Sequence, residues 1–339
     1  MAVKVVSLFS RYLDRLEEAG LELINVPPPP GGPNALYSDE ELGERCREAD
    51  ILVGDNRHYL NGAIMDRIPN LRAIIIPFIG VDKIDVPDAT ARDIFVVNSP
   101  TDEGFIQVAE AAMLLMLALN KRMHHQENLL RAGKRGGLED MNDIFMGRTV
   151  GILGFGRIGK HMARRLQGWE VRVIAHDPYV TEVPDDLRSL VELVSLETLL
   201  RESDFLTVHA VHTDETRHMI GARELAMMKP TAYIINTARG AVCDEDAIAD
   251  AIEKGVIRGA GLDAFEVEPL PVDSRLRTLD PERVILTPHN LPHSAEGIAA
   301  NMAMFYANVV AVAEGRVPDQ VVNKEAIPGW QQRFAVAVK

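Results

Sequence analysis

The chain has 339 residues, of which 47% are hydrophobic and 25% charged, as is typical of a soluble globular protein with a substantial core. At roughly 150 residues per domain, this length predicts two domains. The formal net charge of −14 argues against general binding to nucleic acids or anionic membranes, and no apolar run approaches the ~18 residues that span a bilayer.

The two cysteines, Cys46 and Cys243, lie far apart in the sequence and fit no metal-ligand spacing. With so few thiols a disulfide framework is not expected, and we expect a reducing cytoplasm as the location. The amino terminus turns charged by Arg11, too early for a secretory signal. No spacing of histidine, cysteine and carboxylate stands out, so no metal is expected.

The first hundred residues alternate short apolar runs with helical or turn segments. The strand pattern VKVVSL is followed by a charged helix to Gly20, the strand pattern LELINV and a stiff loop, VPPPPGGPN, at 26–34. Ser38 with Glu41 three positions later predicts a capped helix start. Further apolar runs are ILVG (51–54), AIIIPF (73–78) and IFVVN (94–98). This alternation predicts a mostly parallel sheet.

A single long helix is predicted from Gln107 to Arg131, ended by Gly133. Its first half is apolar almost all round, so it must be buried on more than one side. We expect it to lie between the domains and also against a second subunit.

A regular series of six strands follows, most of them separated by helical stretches: VGIL (150–153), VRVIA (171–175), FLTVHA (205–210), AYIIN (232–236), GAGLDAF (259–265) and RVILT (283–287). The series predicts a six-strand, doubly wound, parallel Rossmann-type sheet. We therefore predict an NAD-binding domain over 100–291. We predict a discontinuous substrate domain over 1–99 and 292–339.

A glycine-rich loop opens this series, in GILGFGRIGKHMARRL (151–166). Gly154, Gly156 and Gly159 match G-x-G-x-x-G, and the loop follows a strand and opens a helix, which is the context that gives the motif meaning. We predict that the backbone from Gly154 to Gly159, including Ile158, binds a pyrophosphate at the positive end of the helix dipole. Arg157 supplies the local cation.

Asp177 ends the next strand, eighteen residues past Gly159. A carboxylate there accepts hydrogen bonds from ribose hydroxyls and repels a 2′-phosphate, so NAD is favoured over NADP. The alternative is that the glycine loop is a structural turn without a ligand and that Asp177 is a solvent-exposed acid. We also expect Thr237 and Ala238, at the end of a later strand, to contact the cofactor.

Polar residues follow the last three strands, where ligands of open α/β sheets lie. Arg239 follows AYIIN, Asp263 and Glu268 follow GAGL, and His289 follows VILTP. Alone, each could be an ordinary surface or loop residue; their convergence favours a site. Hydride transfer to a carbonyl carbon needs a proton donor, which a histidine beside a carboxylate supplies. An arginine can bind a substrate carboxylate. This set indicates a 2-oxo or 2-hydroxy acid as substrate.

The chain resembles the D-isomer-specific 2-hydroxyacid dehydrogenases through motifs that occur in order over nearly its whole length. They are GVDKIDV (80–86), VVNSP (96–100), VAEAAMLLML (108–117), GRTVGILGFGRIGKHMA (147–163), TDETRHMI (213–220), INTARGAVCDEDAI (235–248), GAGLDAFEVEPLP (259–271) and VILTPH (284–289). The resemblance implies two Rossmann-like domains, the substrate domain being flavodoxin-like, and a homodimer formed largely through the cofactor domains.

The same resemblance implies a role for each site residue. Arg239 binds and orients the substrate, Glu268 pairs with the histidine, and His289 is the general acid/base. Asp263 lies by the nicotinamide carboxamide. The backbone of Ile79 and Gly80 holds the substrate carboxylate.

Departures from the family leave the substrate open. Leu291 and His293 stand where small residues are usual, Val211 replaces a proline, and His212 replaces an apolar residue. An NAD-sensing corepressor on the same fold is the alternative function. Formate and phosphite oxidation are disfavoured, because formate enzymes pair their histidine with glutamine rather than Glu268, and phosphite enzymes have a lysine at the position of Ile79.

Overall fold

A computed structural model describes residues 2–9, 13–31, 35–55 and 57–334. Arg11 and part of the predicted loop at 26–34 lie outside the described residues. The chain divides into two compact units, Met1–Gly104 with Ala295–Lys339, and Phe105–Ser294. Each unit contains a parallel sheet, as the α/β prediction required.

The first unit contains a five-stranded parallel sheet in the order β2-β1-β3-β4-β5, the flavodoxin-like order. Its strands are β1 Lys4–Ser7, β2 Glu22–Asn25, β3 Ile51–Val53, β4 Ala73–Ile75 and β5 Phe95–Val97. Its helices are α1 Asp14–Glu18, α2 Asp39–Arg45, α3 Gly62–Met65, α4 Val86–Ala91, α11 Ala295–Ala313 and α12 Ile327–Phe334. The predicted capping box is present: the Ser38 hydroxyl accepts the Glu41 N–H, and the Glu41 carboxylate accepts the Ser38 N–H.

Helix α11 was not anticipated as a possible membrane segment. By length and composition alone it is the one helix in the described part of the chain that could cross a membrane. However, Phe305, Val309 and Val312 on this helix are fully buried in the core on one side of the five-stranded sheet. Its buried amide groups are paired as well, with Asn308 donating to the Asn98 carbonyl at 3.1 Å. These are the properties of a core helix.

The second unit contains seven parallel strands in the order β12-β11-β10-β9-β6-β7-β8. They are β6 Thr149–Leu153, β7 Arg172–His176, β8 Val191–Leu193, β9 Phe205–Val208, β10 Tyr233–Asn236, β11 Gly259–Leu262 and β12 Val284–Leu286. The helices are α5 Asp102–Asn120, which begins just before this unit, α6 Met123–Arg131, α7 Arg157–Arg165, α8 Leu196–Glu202, α9 Ala222–Leu225 and α10 Glu245–Glu253. If β6 is numbered 1 and the sheet is read from β8 to β12, the order is 3-2-1-4-5-6-7. This is the Rossmann order 3-2-1-4-5-6 with one further strand.

The prediction of six strands was therefore one strand short. The six predicted runs all form strands, and the missed strand is β8 at the edge beside β7. Its three residues, Val-Glu-Leu, are buried, exposed and partly buried in turn. So short a run, interrupted by a charge, carries little strand signal.

The prediction of one helix from Gln107 to Arg131 was also wrong. The helix ends at Asn120 and a second begins at Met123, because Arg122 adopts a left-handed conformation with φ of 48°. The Arg122 guanidinium bonds the Met141 carbonyl and Glu282. These contacts with distant residues accompany a break that no glycine marks in the sequence. The predicted end at Gly133, with φ of 71°, is correct.

Candidate active site

Three neighbouring strands of the seven-stranded sheet end at the same level. Asn236 of β10 is paired with Leu262 of β11, which is paired with Leu286 of β12. The segments that follow these strands carry Arg239, Asp263 with Glu268, and His289. The register therefore delivers four predicted site residues to one edge of the sheet.

Glu268 and His289 form a hydrogen-bonded pair. The His289 Nδ1 lies 2.7 Å and 2.9 Å from the two carboxylate oxygens of Glu268. An ionised carboxylate only accepts hydrogen bonds, so Nδ1 carries the hydrogen and the tautomer is set by this contact. The Nε2 atom makes no hydrogen bond with another described residue. It is the ring nitrogen left to give or take a proton.

Glu268 stays ionised despite its surroundings. Burial raises the pKa of its carboxyl, but the hydrogen bond and charge of His289, the Phe265 N–H and the charge of Arg239 outweigh that effect and leave the pKa below its ordinary value. The Phe265 N–H donates to Glu268 Oε1 at 2.9 Å. The carboxylate is thus held in place by backbone and ring together.

Arg239 is positioned by a buried asparagine at the end of β10. The Asn236 amide donates to the Arg239 carbonyl at 2.9 Å, and its oxygen accepts the Ala238 N–H at 3.0 Å. Gly240 permits close packing next to it, because a Cβ there would lie 1.9 Å from the Phe265 carbonyl carbon. This approach brings the arginine loop against the segment that carries Glu268.

The loop bearing His289 is anchored by Asp263. One oxygen of this fully buried carboxylate, Oδ1, accepts the Thr287 hydroxyl at 2.5 Å and the Leu291 N–H at 3.3 Å. The bonds lie on either side of His289, whose φ of 53° is unusual for a residue other than glycine. Such a conformation persists only where surrounding contacts hold it.

Two buried oxygens at this edge have no hydrogen-bond partner among the described residues: Asp263 Oδ2 and Thr237 Oγ1. Buried polar atoms are normally satisfied, so an unpaired acceptor and an unpaired hydroxyl at a ligand-binding edge fit a bound molecule with hydrogen-bonding groups. A nicotinamide carboxamide has both a donor and an acceptor. Ala238, next to Thr237, is partly buried.

The glycine loop follows β6 and has the geometry of a phosphate cradle. Gly154 has a φ of 90°, and a Cβ on it would lie 2.5 Å from the Ala210 nitrogen after β9. A Cβ on Gly159 would lie 2.3 Å from the Gly154 carbonyl oxygen. By contrast, a Cβ on Gly156, the residue before α7, would meet nothing within 4 Å. The loop is thus tightly packed at Gly154 and Gly159 and open at Gly156, with Ile158 in the first turn of α7.

Arg157 and Asp177, the cation and the acid predicted beside this loop, both lie next to it. The Arg157 guanidinium lies over the Phe105 ring, 5.3 Å from its centroid. Asp177 follows β7, and its carboxylate accepts the N–H of Phe155 at 2.9 Å and of Tyr179 at 2.9 Å. Asp177 is therefore tied directly to the glycine loop, while its remaining lone pairs can accept further hydrogen bonds.

Ile79 and Gly80 belong to the other compact unit. Both follow β4 and are partly buried, and the Ile79 carbonyl accepts the Asn98 side-chain amide at 2.7 Å. Neither of their backbone N–H groups donates to another described residue. Two adjacent donors at a strand end can bind a carboxylate.

His293 and His212, two of the residues that depart from the family pattern, have different surroundings from His289. His293 is exposed, and burial of part of its ring together with the charge of His289 lowers its pKa, while Asp263 opposes this. Its N–H donates to the Asn290 carbonyl at 3.0 Å. His212 is partly buried beside the exposed Val211. Neither bonds to Glu268, whose histidine partner is His289.

Sequence reasoning missed the residues that hold the site together. Asn236 and Thr287 position Arg239 and His289, and Glu245 accepts the Glu266 N–H at 2.6 Å in the segment leading to Glu268. The glycine directly after Arg239 was the one available signal, because a glycine outside a turn often marks a close backbone approach.

Comparison with known proteins shows the family of the chain. Residues 113–290 match the model of the family described as "D-isomer specific 2-hydroxyacid dehydrogenase, NAD binding domain". The chain is 38% identical over 306 residues to a glyoxylate reductase of Korarchaeum cryptofilum, covering 87% of this chain and 90% of that protein. It is 39% identical over 305 residues to a glyoxylate reductase of Thermococcus gammatolerans, covering 86% and 89% respectively.

A solved structure is similar over nearly the full length. The crystal structure of a glyoxylate reductase from Paecilomyes thermophila superposes with a TM-score of 0.83 at 27% sequence identity, covering 96% of this chain and 99% of that one.

Proposed function

The chain belongs to the D-isomer-specific 2-hydroxyacid dehydrogenase family and is a nicotinamide-dependent oxidoreductase of class EC 1.1.1.-, and on this premise we propose that it interconverts a 2-oxo acid and a D-2-hydroxy acid with His289 as general acid/base. The observation that carries the proposal is the His289–Glu268 pair at 2.7 Å, which leaves Nε2 available at the ligand-binding edge of the sheet. Its curated relatives named as glyoxylate reductases support a 2-oxo acid as substrate.

When bound, the nicotinamide supplies the hydride for reduction and accepts it in the reverse direction. His289 donates a proton from Nε2 to the carbonyl oxygen during reduction and removes it during oxidation. Glu268 stabilises the positive charge of the protonated ring and fixes its orientation. Arg239 binds the substrate carboxylate and carbonyl, which holds the carbonyl carbon in a reactive position. The backbone N–H groups of Ile79 and Gly80 would bind a substrate carboxylate.

The cofactor we propose is NAD rather than NADP. Gly154, Gly156, Arg157, Ile158 and Gly159 would hold the pyrophosphate. Asp177 would accept the ribose hydroxyls and repel a 2′-phosphate.

Nicotinamide binding would use the edge described above. The unpaired Asp263 Oδ2 would accept the carboxamide N–H, and Thr237 and Ala238 would line the ring. The burial of Asp263 and Thr237, 0% and 4% exposed, supports this assignment, because neither atom can be satisfied by bulk water.

A homodimer formed through the second unit is also proposed. Large apolar side chains are exposed along α5, α6 and the segment that follows them: Leu114, Met123, Leu130, Leu138, Met141, Ile144 and Met146. Exposed apolar side chains concentrated in consecutive elements are typical of a protein–protein interface. Sedimentation velocity tests this: the wild type should sediment as a dimer, and Leu138→Asp should shift it toward monomer.

Cys46 and Cys243 are free and buried, and burial raises the pKa of both thiols to about 12. Such inert thiols need no oxidising environment, so the cytoplasm remains the proposed location.

The proposed activity is tested by following NADH and NADPH oxidation with a panel of 2-oxo acids. His289→Gln and Arg239→Ala should each lower kcat/KM by orders of magnitude while NADH binding, measured by fluorescence, survives. Near-normal turnover in either variant would contradict the assigned roles. A wild type that binds NADH and reduces none of the acids would favour an NAD-sensing corepressor instead.

A further inference from the structure

An aromatic pair lies at the carboxyl edge of the five-stranded sheet. Phe9 follows β1 and Phe78 follows β4, and their ring centroids are 5.4 Å apart with the planes at 90°. Since β3 lies between β1 and β4 in the sheet, the two rings meet across the end of β3. Phe78 packs against the core on one face of the sheet and Phe9 against the core on the other.

Backbone contacts hold both rings in place. The Ser7 hydroxyl donates to the Phe9 carbonyl at 2.6 Å and accepts the Phe9 N–H at 3.1 Å. The Phe78 carbonyl accepts the Ser99 N–H at 2.9 Å. Phe78 directly precedes Ile79, whose own carbonyl is bonded to Asn98. The aromatic pair therefore lies directly beside the Ile79–Gly80 loop, and backbone contacts hold both segments.

The rings are only partly buried, so each presents aromatic surface beyond its core. In doubly wound sheets, ligands bind outside the carboxyl ends of the strands, where this surface lies. An apolar group gains from contact with aromatic rings, whereas a second carboxylate against the rings would lose hydration and gain no attraction from them. The surface therefore suits an uncharged, apolar part of a ligand.

We propose that Phe9 and Phe78 contact the substrate's side chain, and that the enzyme prefers 2-oxo acids with a branched aliphatic or aromatic side chain over glyoxylate and over 2-oxo acids with a second charge. This inference rests on the proposed function, because a carboxylate bound at Ile79 and Gly80 is what places the rest of the substrate beside Phe78. The preference departs from the activity for which the curated relatives are named.

The test compares kcat/KM for glyoxylate, pyruvate, 4-methyl-2-oxopentanoate, phenylpyruvate and oxaloacetate with saturating NADH. The wild type should favour the two large apolar acids. Phe78→Ala should lower kcat/KM for these two by about 10- to 100-fold and leave glyoxylate within about 3-fold, since apolar contacts of this size discriminate by such factors. Phe9→Ala should reproduce the pattern, which keeps the test decisive if one variant folds poorly.

Trp169→Ala is the matched control. Trp169 forms a comparable perpendicular pair with Phe145 in the other unit, with centroids 5.6 Å apart, and its loss should not change substrate preference. A wild-type preference for glyoxylate or oxaloacetate would overturn the inference, as would an equal loss on every acid in Phe78→Ala. A wild type inert toward all five acids would instead overturn the proposed function on which the inference rests.

Discussion

Replacing Glu268 with glutamine removes the negative charge beside His289 while keeping the length of the side chain. The His289 Nδ1 lies 2.7 Å and 2.9 Å from the two carboxylate oxygens. Two unit charges about 4 Å apart attract by roughly 4 kcal/mol at an effective dielectric constant of ~20 and by roughly 1 kcal/mol in water. Both side chains are 33% exposed, so solvent screening places the pair between these limits, at about 2 kcal/mol.

A loss of about 2 kcal/mol in the stabilisation of the protonated histidine corresponds to a roughly 30-fold lower kcat for reduction near neutral pH. The sign of the pH dependence follows from the pKa of Glu268, which is below its ordinary value. The carboxylate is ionised above that pKa and its contribution is lost as the pH falls through it. Wild type and Glu268→Gln should therefore differ most at neutral and alkaline pH and converge in acid.

Steady-state kcat and KM for a 2-oxo acid, measured across pH, provide the assay, with NADH affinity measured separately. Glu282→Gln is the matched control, because Glu282 also binds a histidine at 2.7 Å, His125 Nδ1, but precedes β12 at the opposite end of that strand from His289. It should leave the kinetics unchanged. A kcat for Glu268→Gln within about 3-fold of wild type at every pH would refute the reasoning.

Three further predictions concern the cofactor domain. Asp177→Asn should reduce the preference for NADH over NADPH by about tenfold in kcat/KM, because a repelling carboxylate is lost; an unchanged ratio would contradict the assignment. Gly156→Ala should weaken NADH binding without lowering Tm, because the added Cβ meets no protein atom within 4 Å. Gly159→Ala should lower Tm even without cofactor, because the added Cβ would lie 2.3 Å from the Gly154 carbonyl oxygen. Burial lowers the pKa of His209 to about 4. Between pH ~6.5 and ~4 the unfolded chain therefore binds a proton at this histidine that the folded chain does not bind. The free energy of unfolding should fall by up to about 3 kcal/mol as the pH falls through that range. Urea unfolding at pH 7.5 and pH 5 should show a smaller loss in His209→Asn than in the wild type, and equal losses would exclude this explanation.

The architecture was readable from the sequence because buried parallel strands are apolar runs with polar ends. All eleven predicted strands form, and the chain order of the polar residues was enough to place Arg239, Asp263, Glu268 and His289 at one edge. What escaped prediction depends on tertiary contacts. β8 is an edge strand supported by pairing with β7 rather than by its own pattern.

The residues that position Arg239 and His289 escaped prediction for the same reason. Asn236 is the last residue of a buried strand, and nothing in YIIN reveals that its amide bonds the backbone of Arg239 and Ala238. Thr287 likewise reads as an ordinary strand-end threonine. Its bond to Asp263 joins segments 24 residues apart in the chain, which spacing alone cannot indicate.

We propose that Asp263 links the loop of His289 to the nicotinamide site, because its two oxygens have different surroundings. Oδ1 anchors the loop of His289 through Thr287 and Leu291, while Oδ2 is buried without a described partner. Asp263→Asn can separate the tasks. The Leu291 N–H requires an acceptor, so the amide oxygen should take the place of Oδ1 and the amide nitrogen the place of Oδ2.

In that variant a donor would face the donor of a nicotinamide carboxamide, and such a mismatch costs about 1–3 kcal/mol. NADH binding should therefore weaken by roughly 5- to 150-fold, while Tm without cofactor stays near that of the wild type. Asp263→Ala, which also removes the loop anchor, should lose both NADH affinity and stability. Fluorescence titration and thermal unfolding of the two variants measure these effects separately. Normal NADH affinity in Asp263→Asn would show that Oδ2 does not receive the carboxamide, and the link between cofactor and histidine loop would then have to run through another group.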